Sequence, residues 1–513
     1  MRYRFVAIVL PAVLAASACG PDDGQSGDDG GQPCPPGVPA GSYRCSGFEW
    51  QRCVRGAWAP AEDCRASGRT CAEVLGCVSC YPGRTFCDGL DVRTCNPDGE
   101  SSTVTRTCDA DAGEACEPGA GTCVGLCAEA RRNRSNIGCE YWAVDLDNAE
   151  NFVDIAAYAQ FAVAVANLTT SYTAEVTVEI DEGVPGGEHL PRVLESVPLG
   201  PGDLHVFDLP HWDVDGDSSG GRDDDPQTTL TRRVYRISST IPVVAYQFNP
   251  IDQAFSNGSS LLLPTSGLDN EHHVVVWPPA NPLPDPMLLP FPNRNYVTVV
   301  GVEDGTTVMV TPTYDIFEGV GDPPIPSIPA GTTAEFRLDR FDVLNLETRG
   351  MRGLRDAIPD LTGTKVLSSA PVAVFTGVDL AVVGDASRAP PDGGGQFCCA
   401  EHLESQVPPV EQRRGTYIFT TGRGFAENWA VVSMPLGSAA TIDGADVAST
   451  CGAPRTDGEM DGLTYVSYFC RIADGRHEVV GEDGEVGVIV YGYYNAGSYG
   501  YPAGSDLERI FFG

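Results

Sequence analysis

Cysteine spacing constrains the fold of this 513-residue chain more than any other feature. Fourteen of its 19 cysteines lie between Cys34 and Cys139, and twelve of these form two sets of six. Both sets open alike, with CPPG and CYPG. We therefore predict two small repeated modules within residues 34–127, each with three disulfides. The first set is Cys34, Cys45, Cys53, Cys64, Cys71 and Cys77, and the second is Cys80, Cys87, Cys95, Cys108, Cys116 and Cys123.

These modules have too few aliphatic residues to fold by burial alone, so disulfides must stabilise them. The spacing does not give the connectivity, because six cysteines allow fifteen pairings. A zinc site at the Cys77-x2-Cys80 motif is the alternative, and the lack of histidine in this segment disfavours it.

The remaining cysteines allow three further expectations. Cys127 and Cys139 can pair with each other, and Cys451 can pair with Cys470 across two strands. The adjacent Cys398 and Cys399 are bonded either to each other or to other chains in an oligomer.

The first 19 residues resemble an export signal. Arg2 and Arg4 precede a short apolar run, and Ala16-Ser17-Ala18-Cys19 follows. This last segment resembles a bacterial lipobox, with Ala instead of Leu three residues before the cysteine. We predict a lipoprotein signal peptide over residues 1–19, lipidation of Cys19, and sorting to the outer membrane and cell surface. The alternative is ordinary secretion in which Cys19 is discarded.

Composition limits the partners of the chain. Residues 20–33 are rich in Gly and Asp and predict a flexible acidic linker. The net charge is −37, from 33 basic and 70 acidic residues, so no basic surface for nucleic acid is expected. Contact with a membrane would therefore be made only through the lipid anchor.

After Cys139 the sequence is typical of an all-β fold, because short runs of Val, Ile, Thr, Tyr and Phe alternate with turn residues. Similar segments recur at a spacing near 130 residues, such as ISSTIPVVAYQF (237–248) and VLSSAPVAVFTG (366–377). Each predicts a strand, a turn and a buried strand. We predict three β-sandwich-like modules, at about 139–269, 270–414 and 415–513. A β-propeller-like arrangement is the alternative.

Several of these segments carry a resemblance to a known family. YVTVVGVEDGTTV, FRLDRFDVLNLET, LTGTKVLSSAPVAVFTG and CAEHLESQVPPVEQRRGTYIFTT resemble the N-terminal domain of IgG Fc-binding protein. Others, such as SNIGCEYWAVDLDNA, resemble its versions in myxobacterial-type secreted lipoproteins. The resemblance covers residues 136–504. It implies a binding or matrix role without catalytic residues, and we do not expect immunoglobulin to be the natural ligand.

An acidic loop is the strongest candidate for a metal site. Residues 213–226 read DVDGDSSGGRDDDP, and alternating carboxylates in a Gly-containing loop suit Ca²⁺. The alternative is a solvated acidic insertion, and no cofactor is otherwise required. The candidate ligands are Asp213, Asp215, Asp217, Asp223 and Asp225.

The C-terminal segment YGYYNAGSYGYP is rich in tyrosine. Tyrosine with Gly and Ser offers rigid amphipathic contact area, as in binding loops. We predict a ligand-binding role for Tyr494, Tyr499 and Tyr501, with packing inside the module as the alternative.

The sequence lacks the H-E-x-x-H and P-loop motifs. We therefore predict a non-catalytic, lipid-anchored surface protein that binds an extracellular protein or glycan. The alternatives are a secreted hydrolase with a carboxylate pair and a structural component of an extracellular matrix.

Overall fold

The computed structural model confirms an all-β fold with a disulfide-rich N-terminal region. It describes residues 32–110, 112–117, 119–132, 134–148, 156–215, 228–252, 257–279, 293–319, 324–350, 358–383, 401–460, 462–494 and 497–504. The chain divides into two compact units, Met1–Phe86 with Val92–Thr105 and Cys87–Asp91 with Arg106–Gly513.

The first cysteine set is built on two small sheets. An antiparallel sheet contains β1 (Tyr43–Ser46), β2 (Glu49–Val54) and β3 (Ala57–Asp63), and a hairpin contains β4 (Thr70–Ala72) and β5 (Gly76–Val78). A short 3-10 helix, Cys64–Ser67, lies between them. The disulfides are Cys34–Cys53, Cys45–Cys71 and Cys64–Cys77.

The second set has the same connectivity. Its strands are β6 (Thr85–Asp88), β7 (Asp91–Cys95) and β8 (Ser102–Thr107) in one sheet, and β9 (Glu114–Glu117) and β10 (Thr122–Gly125) in a hairpin. Its disulfides are Cys80–Cys95, Cys87–Cys116 and Cys108–Cys123. In both sets the first cysteine pairs with the third, the second with the fifth and the fourth with the sixth.

The first β module is organised around one long strand, β17. Helix α1 (Leu126–Arg132) precedes the module, and the Cys127–Cys139 disulfide ties that helix to β11. The first half of β17 pairs with β11 and β13, and its second half pairs with β12 and β18. The strands are β11 (Gly138–Ala143), β12 (Ala162–Ala166), β13 (Ala174–Asp181), β14 (Pro191–Leu199), β15 (Leu204–Asp208), β16 (Thr229–Thr231), β17 (Tyr235–Asn249) and β18 (Gly258–Leu261).

The second module repeats this topology around β24. The first part of β24 pairs with β19 and β21, and its later part pairs with β20 and β25. Strand β16 of the preceding module adds to the edge of this sheet next to β23. The strands are β19 (Asp269–His273), β20 (Asn295–Gly301), β21 (Thr306–Thr311), β22 (Ala334–Leu338), β23 (Val343–Glu347), β24 (Lys365–Ala381) and β25 (Glu401–Gln406).

The third module has the same order, but two strands replace the long one. Strand β32 pairs with β26 and β28, and β33 pairs with β27 and β34. The elements are β26 (Thr416–Thr420), β27 (Glu427–Pro435), β28 (Ala440–Ile442), β29 (Ala445–Asp446), α2 (Val447–Thr450), β30 (Arg455–Met460), β31 (Leu463–Arg471), β32 (Arg476–Gly481), β33 (Gly487–Tyr494) and β34 (Gly497–Pro502).

The predicted strand–turn–strand element is therefore correct only in the third module. In β17 and β24 the chain stays extended through Pro242 and Pro371. Each proline lies between the two halves of the ladder, where no strand partner is paired with it. Proline has no N–H to donate, so it fits the point at which a strand passes from one sheet to the other.

The modules have cores of side chains from both of their sheets, as a sandwich requires. In the first module Val176 and Ile237 from one sheet pack with Val163 and Phe207 from the other. Within the described ranges the strands form no closed ring of blades. The structure therefore agrees with the predicted sandwich modules and not with the propeller alternative. The described helices are all too short or too polar to span a membrane.

Candidate functional site

The acidic segment predicted to bind calcium begins in a buried environment. Asp213 is buried, and its Oδ1 accepts a hydrogen bond from the Asp215 amide at 3.3 Å. Burial and the nearby charge of Asp145 raise the pKa of the Asp213 carboxyl to about 7. Asp215 is half-buried, and burial together with Asp213 holds the pKa of its carboxyl well above its usual range. The start of the acidic segment is therefore partly shielded from solvent.

The other three predicted ligands, Asp217, Asp223 and Asp225, lie outside the described residues. Within the described residues, no group of three or more His, Cys, Asp or Glu side chains is arranged to hold a metal ion. Calcium binding therefore stays a prediction.

The three predicted binding tyrosines differ in their surroundings. The Tyr499 hydroxyl donates to Asn428 Oδ1 at 2.6 Å and accepts from the Gly422 amide at 3.1 Å. Tyr501 donates to the Thr420 carbonyl, and both rings pack against the core of the third module. Tyr494 is 55% exposed. Their role in ligand binding stays a prediction, and Tyr494 has the side chain most accessible to a ligand.

Two predicted disulfides outside the six-cysteine sets are formed, Cys127–Cys139 and Cys451–Cys470. Cys19, Cys398 and Cys399 lie outside the described residues.

A cavity lies at the contact between the second and third modules. The cavity opens to solvent, and its empty volume of about 400 Å³ includes the open solvent at its mouth. The second module contributes β19 and the segment after β25, which contains a short 3-10 helix, Val410–Gln412. The third module contributes residues of β26, β27, β33 and β34. No Asp or Glu is among the lining residues.

Aromatic packing next to the cavity holds the two modules together. Trp277 of the second module is 1% exposed and contacts three rings of the third module: Trp429, Phe469 and Tyr491. Ring centroids are 5.3 to 5.8 Å apart, a separation typical of stabilising aromatic pairs. The cavity walls are therefore fixed by a packed contact.

Arg413 is the only Arg or Lys among the residues that line the cavity. It is 8% exposed, and its Nη1 has no hydrogen-bond partner. Its guanidinium carbon lies 5.0 Å from the centre of the Tyr465 ring. Burial lowers the pKa of Arg413, although Asp457 acts in the opposite direction. Arginine nevertheless stays charged in proteins, so the cavity contains a buried cation.

Other polar groups in the cavity also lack partners. Ser433 Oγ, Gln412 Oε1 and both ring nitrogens of His273 are buried without a hydrogen bond. Burial and the charge of Arg413 hold the pKa of His273 well below its usual range, so the imidazole is neutral. Its Nε2 lies 3.5 Å from Asp457 Oδ2. Buried polar groups are normally hydrogen-bonded, so a cluster of buried polar atoms without hydrogen bonds is unusual.

Ser433 and Arg413 both pack closely against the glycine at position 487. A Cβ at Gly487 would lie 2.7 Å from Ser433 Oγ and 3.2 Å from Arg413 Nε. Because such contacts are too short for carbon, a side chain at position 487 would displace one or both polar groups.

The cavity residues were not among the sites predicted from the sequence. Arg413 stands in a segment quoted only for its family resemblance, and Ser433 and Gly487 belong to the next module. The available signal was the adjacent pair Arg413-Arg414 in a chain with few basic residues, and it did not indicate which arginine is buried.

These observations define an all-β protein of repeated sandwich modules with a polar cavity between two of them. Residues 258–413 match the family model described as IgGFc binding protein. The match covers less than a third of the chain. It includes the whole contribution of the second module to the cavity, from His273 to Arg413.

Two other comparisons add little. No curated protein matches the chain. A solved structure of a marsupial T cell receptor aligns with 71% of this chain and 97% of that chain, with 8% identity and a TM-score of 0.08. A score this low carries no argument about fold or function.

Proposed function

We propose that this chain is an exported, non-catalytic binding protein that recognises an extracellular protein or glycan. One observation carries the proposal: the segment that matches a binding-protein family supplies one wall of the cavity in which polar groups lack partners. Cavities with a few convergent polar groups on apolar walls are typical ligand sites.

The absence of carboxylates from the cavity lining favours binding over hydrolysis at this position. A glycosidase-type mechanism requires two carboxyl groups that face the substrate. The lining residues include neither Asp nor Glu, so this cavity cannot supply that pair.

The binding proposal can be tested by retention. The purified chain, immobilised on beads, would be incubated with proteins and polysaccharides from the extracellular medium, and purified immunoglobulin Fc would be a separate probe. We expect reproducible retention of a protein or glycan that beads with heat-denatured chain do not retain. Retention of nothing by the folded chain would contradict the proposal.

Surface attachment through Cys19 is part of the proposal. The support is the leader sequence, in which an apolar run ends at a small-residue segment before the cysteine. A Cys19→Ala variant should lose incorporation of a labelled fatty acid and leave the membrane fraction. The Cys127→Ala variant is a control for general thiol labelling, and incorporation unaffected by Cys19→Ala would contradict the anchor.

We also propose that the acidic segment with Asp213, Asp215, Asp217, Asp223 and Asp225 binds Ca²⁺. The support is the buried Asp213 beside the half-buried Asp215, because neighbouring carboxylates shielded from water repel each other unless a proton or a cation compensates them. Calcium should raise the melting temperature of the parent chain, and the Asp215→Ala, Asp217→Ala double variant should lose that effect. A parent chain whose melting temperature is unchanged by Ca²⁺ would exclude the site.

A further inference from the structure

The cavity between the second and third modules contains a buried charge that forms no ion pair. Arg413 is nearly buried, and among the described residues its guanidinium contacts the Tyr465 ring but pairs with no carboxylate. Asp457 and Glu271 favour its charge electrostatically without a direct contact. Buried charges are normally paired and hydrogen-bonded, so the unpartnered Nη1 is available to an anionic group from outside.

The groups around Arg413 limit the type of anion. Ser433 Oγ can donate a hydrogen bond, and neutral His273 has one N–H to donate. Gln412 Nε2 already donates to the Gly267 carbonyl, which leaves the unpartnered Oε1 as an acceptor. The site thus combines several donors for an anion with one acceptor for an N–H.

A carboxylate has the right shape to accept hydrogen bonds from the donors around Arg413. A guanidinium forms two parallel hydrogen bonds to a carboxylate, and such charge-assisted hydrogen bonds are stronger than those between neutral groups. Arg413 Nε and Ser433 Oγ both lie within 3.2 Å of the position that a Cβ of residue 487 would occupy, so the two donors are close enough to contact one carboxylate.

The walls favour a peptide over an acidic glycan. Most lining residues are apolar, including Val407, Pro408, Pro409, Ile489 and Pro502. A sugar presents hydroxyls that these walls cannot satisfy, whereas a peptide presents apolar groups and an N–H for Gln412 Oε1. In addition, a polyanionic glycan would be repelled by the net charge of −37.

We propose that this cavity binds a single carboxylate of a peptide or protein partner, and that Arg413 and Ser433 hold that carboxylate. The inference rests on the proposed binding function and names the chemistry of its ligand. The carboxylate comes either from an Asp or Glu side chain or from a chain terminus, and both sources present the same group.

The test uses the full chain and four short peptides in saturation-transfer NMR titrations. Acetyl-Gly-Glu-Gly-amide is compared with acetyl-Gly-Gln-Gly-amide, and acetyl-triglycine with a free terminus is compared with its amide. We expect the carboxylate of at least one pair to bind about tenfold or more tightly than its amide. The pair that shows the difference identifies the source, and equal affinities within both pairs would overturn the inference.

Two variants locate the site. Arg413→Gln should weaken carboxylate binding about tenfold or more, and Gly487→Ala should weaken it while the charge is retained. The control is Arg423→Gln, which removes an exposed arginine of the third module. Carboxylate binding that survives Arg413→Gln, or is lost equally in Arg423→Gln, would contradict the assignment. Preference for inorganic phosphate or an acidic oligosaccharide over the peptides would also contradict it.

Thermal stability separates a ligand role from a structural role. Because the buried charge has no ion pair and burial disfavours it, Arg413→Gln should leave the melting temperature unchanged or raise it. A structural arginine would lower it on replacement. If the chain retains a partner in the bead assay and Arg413→Gln does not affect that retention, the inference fails while the proposed function stands.

Discussion

The first cysteine set and the β modules stabilise small sheets by different means. In the cysteine set the buried cluster consists of Cys64, Cys71 and Cys77, with Cys45 and Trp50 packed against it. In the first module the corresponding cluster is made of Val, Ile, Leu and aromatic side chains from two sheets. Covalent bonds replace apolar burial where the chain is too short to build a core. The two regions should therefore respond to different perturbations.

The largest effect is expected from a cavity in the packed contact between modules. Trp277→Ala removes a side chain that is 1% exposed and touches three aromatic rings. It should destabilise the second unit by about 3–5 kcal/mol. Urea unfolding followed by tryptophan fluorescence measures this, and protease resistance of residues 34–86 should be unchanged. A loss below about 1 kcal/mol would show that the contact is loosely packed.

Removal of one bridge should produce the opposite pattern. The Cys64→Ser, Cys77→Ser double variant opens a buried disulfide of the first set. The expected loss in the free energy of unfolding is about 2–4 kcal/mol, which is a large fraction of the stability of such a small region. Residues 34–86 should therefore become protease-sensitive. The matched control is Cys451→Ser, Cys470→Ser, where an apolar core remains and the third module should stay folded. Equal sensitivity of both variants would remove the distinction between the regions.

Acid should affect the β region selectively. His272 is fully buried, and burial lowers its pKa to about 3. A lowered folded-state pKa means that stability is present above the unfolded value near 6.5 and is lost as the pH falls toward 3. His272→Leu should therefore reduce the loss of stability between pH 6.5 and 4.5 by about 2 kcal/mol.

The measurement is the slope of unfolding free energy against pH, so a constant packing effect of the leucine cancels. Residues 34–127 contain no histidine, and protease resistance there should not change through this mechanism. Identical slopes for the parent and the variant would show that His272 is not held neutral.

The smallest effect concerns the tyrosines of the third module. Tyr499→Phe removes a hydroxyl with two hydrogen bonds and should cost about 1 kcal/mol. Tyr494→Phe alters an exposed side chain and should have almost no effect on stability. If both variants are neutral, the Tyr499 hydroxyl contributes nothing to packing.

Much of the fold follows from local sequence features. The alternation of β-branched and turn residues predicts an all-β chain, and the recurrence of similar segments agrees with the shared topology of the three modules. Pro242 and Pro371 were assigned to turns because proline usually interrupts a strand. The structure has continuous strands there, because the ladder changes partners at the proline. That change depends on strands far away in sequence.

The functional candidates were harder to predict for the same reason. Arg413 is unusual because Ser433, Gly487 and Tyr465 of the next module surround it, and none of the three offers it an ion pair. No sequence pattern near residue 413 predicts that environment, because the residues that form it are distant in sequence. Asp213 and Asp215 were identified from their own spacing, but their raised pKa values depend on burial and, for Asp213, on the charge of Asp145. Sequence spacing can identify a side chain as a candidate ligand, whereas the electrostatic surroundings of that side chain depend on tertiary contacts.

The shared connectivity of the cysteine sets has a consequence for how the chain matures. No bond in either set joins cysteines that are neighbours along the chain, whereas Cys127–Cys139 and Cys451–Cys470 do. An oxidant that joined thiols in the order of their synthesis would produce six wrong bonds. A cell that makes this protein must therefore supply thiol–disulfide exchange, and not oxidation alone, in the compartment where the chain folds.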